Sequence, residues 1–138
     1  PSSSSPPCLT ASTAALRAYT MQSAYTASKG GMQALTNVWA VEQGRKDIRF
    51  NAICPGSLHT PMAVGLFSIN DEERARRAKL TALGTEGTAW DIAWTAVFLA
   101  SEESRWITGV DIPVDGGMIA GTPLCVATID RSTSVSET

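Results

Sequence analysis

Tyr25 and Lys29 stand four residues apart, about one helical turn, so on a helix both side chains leave the same face. That pairing has a chemical use. A free phenol titrates near pH ~10, too high for easy proton exchange at neutrality. An ammonium a few ångströms away favours the phenolate and turns the pair into a tuned general acid/base. Gly30 and Gly31 follow inside the same segment. Each glycine costs a helix about 1 kcal/mol relative to alanine, a cost tolerated where something must approach the backbone closely.

Positioning that pair requires a helix, and residues 23–43 supply one. Ser23 is its expected N-cap, Met32, Leu35, Val38 and Trp39 its buried stripe, and Gly44 its stop. The apolar run 48–54, closed by Pro55-Gly56, reads as a buried strand ending in a sharp turn. A second helix spans 71–83, with Asp71, Glu72 and Glu73 in its first turn and Arg74, Arg76, Arg77 and Lys79 after them. That order suits the helix dipole, and because the charges nearly cancel the cluster reads as a solvated face. A third helix covers 89–101, opened by a Thr88–Asp91 capping box and striped by Ala89, Ile92, Ala93, Ala96, Val97 and Ala100. Trp94 and Phe98 lie off that stripe, which predicts a second packed face. A last strand occupies 110–114, with Pro113 marking an edge position or an irregularity and Asp115-Gly116-Gly117 as its turn. Strands separated by helices imply parallel pairing in an α/β sheet.

The chain has 138 residues, 43% of them hydrophobic and 17% charged, with a formal charge of −2. This is enough for one core, and it provides no electrostatic footprint for nucleic acid or an anionic membrane. No apolar run reaches the ~20 residues of a membrane span. Cys8, Cys54 and Cys125 are widely spaced, no Cys-x-x-Cys occurs and His59 is the single histidine, so neither a zinc site nor a disulfide framework is expected. Reduced thiols and the absence of a signal peptide make a cytoplasmic location the expectation. The Pro/Ser opening is read as a disordered leader, with a strand remnant to residue 11, and residues 124–138 as a disordered tail.

Together these segments resemble the short-chain dehydrogenase/reductase family. Ser23-Ala-Tyr-Thr-Ala-Ser-Lys-Gly-Gly31 is similar to its catalytic helix, and Ser12 lies thirteen residues before Tyr25, the separation of its catalytic serine. Ile48-Arg-Phe-Asn-Ala-Ile-Cys-Pro-Gly56 resembles its sixth strand and Pro-Gly turn, with Thr60 four residues on. Asp91-Ile-Ala with Val97-Phe-Leu-Ala-Ser101 resembles its late helix, and Ile107-Thr-Gly109 with Val114-Asp-Gly-Gly117 its last strand. The resemblance runs over residues 12–123.

It implies a doubly wound Rossmann-type parallel sheet with flanking helices, NAD or NADP as cofactor, a small secondary alcohol or ketone as substrate, and a homo-oligomer in the full-length form. Tyr25 would exchange the proton, Lys29 would tune Tyr25 and hold the nicotinamide ribose, and Ser12 would hydrogen-bond the substrate oxygen. Pro55, Gly56, Leu58 and Thr60 would meet the nicotinamide end, and residues 63–83 would form a substrate lid. Without the resemblance, Ser12 is a loop serine, Thr60 a turn residue, His59 a solvated side chain and Cys54 core.

A dinucleotide site of this fold also needs a Gly-rich turn for the pyrophosphate. The eleven glycines contain no Gly-x-Gly. The sheet is therefore expected to be partial, truncated at the N-terminus. Two readings stay open: an oxidoreductase complete only in a longer form, or an inactive fragment that associates with related subunits or has no role.

Overall fold

A computed structural model describes residues 7–67 and 69–121. The expectations for the leader at 1–6 and for the tail lie outside the described residues. Three parallel strands form the main sheet in the order β1-β2-β5: β1 is Cys8–Thr10, β2 Asn51–Pro55 and β5 Asp111–Val114. The run that resembled a strand remnant thus pairs fully, Leu9 opposite Ala52 and Thr10 opposite Ile53. The central strand β2 is buried from Asn51 to Cys54, as a strand covered on both faces must be. Pro113 pairs opposite Cys54 on a strand that borders the sheet among the described residues, where its missing N–H is tolerated.

The connections are helical. Helix α1 is Ser23–Gln43, α2 Pro61–Phe67, α3 Asp71–Ala78 and α4 Ala89–Ala100. A two-residue parallel pair, β3 (Leu58–His59) with β4 (Gly87–Thr88), sits between α1 and α4 in the chain. On one face of the sheet, Ala52 and Cys54 join Ala11, with Leu9, Leu16 and Met32 of α1 packed against them. Ile53, by the two-residue alternation of a strand, points to the opposite face; there α4 contributes Leu99, 2% exposed.

Helix packing departs from the sequence reading in several places. Ser23 is the first helical residue rather than the cap. Gln22 holds the N-cap position and makes no side-chain capping bond. The buried residues of α1 are Thr36 and Ala40, whereas Leu35 and Val38 are 44% and 49% exposed. The thin sheet of small residues (Ala11, Ala52, Cys54) admits close approach by small helical residues and leaves the bulkier flanks outside. Only Leu99 of α4 is buried, and Trp90, Trp94, Val97 and Phe98 all face outward, so the expected second packed face has no cover among the described residues. Trp106 is likewise exposed. Helix α3 ends five residues earlier than its charge pattern suggested. The chain there turns at Thr81, whose buried hydroxyl bonds to Ala78 and Thr85.

The loop after α4 is held by polar groups whose importance composition does not reveal. Arg49 donates to the carbonyls of Ile107 and Leu99 at 3.1 and 2.8 Å. Buried Asn51 donates to the Ile107 carbonyl at 2.9 Å and accepts from the Val110 amide at 3.3 Å. The two side chains fix the entry of β5 beside β2.

The capping box of α4 forms as expected: the amide and hydroxyl of Thr88 both donate to Asp91 Oδ2, at 2.6 and 2.8 Å. These bonds hold the Asp91 carboxyl below its ordinary value of 3.8. A depressed carboxylate pKa adds stability that is present above the ordinary range and lost as pH falls through the folded-state value. The expected outcome is that acidification from about pH 5 to about pH 3 lowers the melting temperature more in the native sequence than in Asp91→Asn. Equal slopes in the two melting series would reject this.

Candidate active site

Lys29 organises the site. Its Nζ donates to the Thr10 carbonyl at 2.9 Å, at the end of β1 and two residues before Ser12. The same nitrogen lies 3.8 Å from Met32 Sδ and 5.8 Å from the centroid of the Tyr25 ring, within cation–π range. The helical turn predicted from spacing therefore exists. The backbone of the segment that leads into Ser12 anchors the ammonium beside the phenol. Tyr25 is 48% exposed. Among the described residues its hydroxyl makes no hydrogen bond to Ser12 or Lys29.

Ser12 lies where β1 gives way to a 3-10 turn, Thr13–Ala15. Its backbone is extended, and its Oγ accepts the Ala14 amide at 3.1 Å, capping that turn. One lone pair of the hydroxyl is thus committed while its proton stays available to a ligand. Ser12 is nearly buried, at 9% exposure. The Ala11 amide donates to the Ile53 carbonyl at 2.8 Å, continuing the β1–β2 pairing up to Ser12. Beneath it, the Cys54 thiol is pushed up to about 11 by burial, with Asp111 adding to the rise and the Ser12 backbone opposing it. Cys54 is wholly buried and un-ionised at neutral pH, as core placement implied. His59 is exposed.

The Pro55-Gly56 segment has a packing reason for its glycine. The Gly56 amide donates to the Val114 carbonyl at 3.0 Å, and a Cβ on Gly56 would stand 2.5 Å from Asp115 Cβ and 2.7 Å from Asp115 Cα. Backbone meets backbone here, so only glycine fits. Asp115 in turn accepts from the Gly117 and Ile119 amides, holding the turn after β5, where Gly116 and Gly117 take positive φ. Beyond Gly56, Leu58 pairs with Gly87 in the short β3–β4 pair. Thr60 caps α2 by accepting the Ala63 amide at 3.2 Å, more than the turn residue its place before Pro61 suggested. Its hydroxyl proton, like that of Ser12, is uncommitted.

Sequence reasoning missed helix α2, which lies in the expected lid segment, and the ion cluster on α3. Arg76 and Glu73 pair on the solvated face as expected. Arg77 does not belong to that face: its side chain is 19% exposed and turns inward to Glu86, 5% exposed. Among the described residues no group of His, Cys, Asp or Glu could hold a metal, and no helix is long and apolar enough to cross a membrane.

An ammonium, a half-exposed phenol and two hydroxyls with free protons, all at the C-terminal ends of parallel strands or the helix between them, make a donor set suited to the nicotinamide and ribose end of a dinucleotide. The parallel sheet with its flanking helices is part of a doubly wound α/β domain. The family described as Enoyl-(Acyl carrier protein) reductase matches residues 8–119. Its relatives include the 3-oxoacyl-[acyl-carrier-protein] reductase FabG of Thermotoga maritima, 40% identical over 100 residues, which cover 71% of this chain and 39% of that protein. Among solved structures, an oxidoreductase of the short-chain dehydrogenase/reductase family from Burkholderia thailandensis superposes with a TM-score of 0.79 at 33% identity, over 86% of this chain and 46% of that one. A 4-hydroxyisoleucine dehydrogenase complexed with NADH superposes at 0.76 and 35% identity, over 83% and 48%. This chain belongs to the short-chain dehydrogenase/reductase family of oxidoreductases. It spans about two fifths of the curated relative and just under half of each solved structure.

Proposed function

We propose that this chain is the catalytic half of an NAD(P)-dependent oxidoreductase that interconverts a secondary alcohol and a ketone. The observation that carries the reading is the Lys29 ammonium, held by the Thr10 carbonyl and lying 5.8 Å from the Tyr25 ring. One bond fixes the helix bearing the phenol to the strand end bearing Ser12. The NADH held by the 4-hydroxyisoleucine dehydrogenase, and the carbonyl group named in the FabG relative's activity, agree with it.

In the direction of reduction, the substrate's carbonyl oxygen accepts a hydrogen bond from Ser12 and a proton from Tyr25. The Tyr25 phenolate that remains is stabilised by the Lys29 ammonium until solvent returns the proton. The nicotinamide, when bound, supplies the hydride to the carbonyl carbon. Lys29 retains an N–H for the ribose hydroxyls, and the backbone from Pro55 and Gly56 through Leu58 to Thr60 borders the carboxamide. Residues 63–83 cover the substrate. Orientation by Ser12 and proton transfer by Tyr25 are the protein's two contributions to the barrier.

A second reading has its own support: the outer edge of β1 has no strand partner among the described residues. An open parallel edge invites pairing with further chain, either the rest of a longer polypeptide or a related subunit. The test joins the segment of the Thermotoga maritima relative that precedes its matched region to Cys8 of this chain. The joined protein should oxidise NADH or NADPH in the presence of a ketone. A folded joined protein that binds the dinucleotide yet turns over no ketone or secondary alcohol overturns the enzymatic reading.

A further inference from the structure

Arg77 is the one cation of α3 that reaches across to the segment bordering the nicotinamide end. Its Nε donates to Ser57 Oγ at 2.9 Å, and an Nη donates to the Leu58 carbonyl at 3.0 Å. Glu86, on the approach to β4, places Oε1 2.8 Å from the same Nε and accepts from Arg74 Nε at 3.2 Å on Oε2. The carboxylate is 5% exposed, so it is desolvated, and both its oxygens face guanidinium groups. Its neighbour Gly87 donates its amide to the Ser57 carbonyl at 3.0 Å, so Glu86 and Ser57 are held just ahead of adjoining strands. Arg77 also lines a cavity of about 700 Å³, together with Glu73, Arg76 and the residue just before α1, Gln22, three positions ahead of Tyr25. Arg77 thus stands between the Leu58 backbone and a cavity beside the start of the Tyr25 helix.

We propose that Arg77, held by Glu86, is a positioning residue: it fixes helix α3 against Ser57 and Leu58 and so sets where a substrate lies relative to the nicotinamide end. The inference rests on the oxidoreductase reading given above. A planar guanidinium suits the task because it donates to two acceptors, Ser57 Oγ and the Leu58 carbonyl, at fixed angles while its charge lies beside the Glu86 carboxylate. A lysine ammonium in the same place carries the charge without the fork. The lid is then seated by a charge-assisted clamp independent of α3's exposed Arg76–Glu73 pair, 2.9 Å apart on the helix surface.

Two measurements test it. The first needs no catalysis: amide hydrogen exchange on this chain, native and Arg77→Met. The amides of α3 and of Leu58 and His59 should exchange about tenfold faster in the variant, while those of Ala52–Cys54 hold their protection. Unchanged exchange at Leu58 and His59 overturns the clamp, whatever the chain catalyses. The second uses the joined protein. Arg77→Met should raise KM for the ketone about tenfold and lower kcat by less than threefold, a split that loss of fold would not produce. Arg77→Lys should restore the melting temperature without restoring KM. A KM that follows the melting temperature through both variants would mean that Arg77 serves stability alone. If the clamp is seen by exchange but the joined protein is inert, the oxidoreductase reading fails and the clamp stands.

Discussion

Tyr25→Phe, in the joined protein, should abolish most turnover: a fall of about 10²–10⁴-fold in kcat, the range of a positioned general acid or base. The same substitution should leave folding almost untouched. Tyr25 is half-exposed, and among the described residues its hydroxyl bonds to neither Ser12 nor Lys29, so the folded state loses little when the oxygen is removed. That asymmetry makes the result diagnostic. A structural tyrosine would lose stability and rate together. An acid/base tyrosine loses rate while the melting curve stays within the ±0.5 kcal/mol of an ordinary surface change, a magnitude typical of about that size elsewhere. Dinucleotide affinity, measured by NADH fluorescence, should change by much less than kcat. Undiminished kcat would remove Tyr25 from the mechanism.

Ile53→Ala carries the largest expected cost to the fold. Ile53 is 1% exposed in the central strand, on the face that α4 covers with Leu99. Truncating a buried isoleucine costs about 2–5 kcal/mol through lost transfer energy and the cavity left behind. A domain of this size commonly has about 5–15 kcal/mol in all. The chain should lose a large share of its urea midpoint. Val41→Ala, at a position 83% exposed on α1, is the matched control and should move it by less than about 0.5 kcal/mol. Equal shifts in the two variants would mean that the β2–α4 face is not the core.

Much of this architecture could be read before any coordinates, and the reasons are physical. The Tyr25–Lys29 spacing, the Thr88–Asp91 box and the β2 run depend on local geometry, which sequence encodes directly. Burial was less legible. Leu35 and Val38 fit a helical stripe, yet Thr36 and Ala40 are what α1 buries, because the sheet beneath is lined by small side chains and rewards close approach over bulk. Helix α2 was hidden by the turn reading given to Thr60 before Pro61, although proline is at home in a first helical turn. Arg77 escaped notice because its partners, Ser57, Leu58 and Glu86, are distant in sequence and a cluster of nearly cancelling charges reads as solvent-facing. The partner of Lys29 was equally invisible: a backbone carbonyl has no sequence signature.

The outward tryptophans have an optical consequence. Trp90, Trp94 and Trp106 are 70%, 67% and 96% exposed, while Trp39 lies half-buried with its ring centroid 5.4 Å from that of Phe50. Three of the four indoles already emit from water in the native state, so the intrinsic fluorescence of this chain is dominated by chromophores blind to unfolding. The change of environment on denaturation is largest at Trp39, next to the strand that carries the core, and a variant keeping that indole alone would be a clean luminescent reporter of the α1–β2 contact.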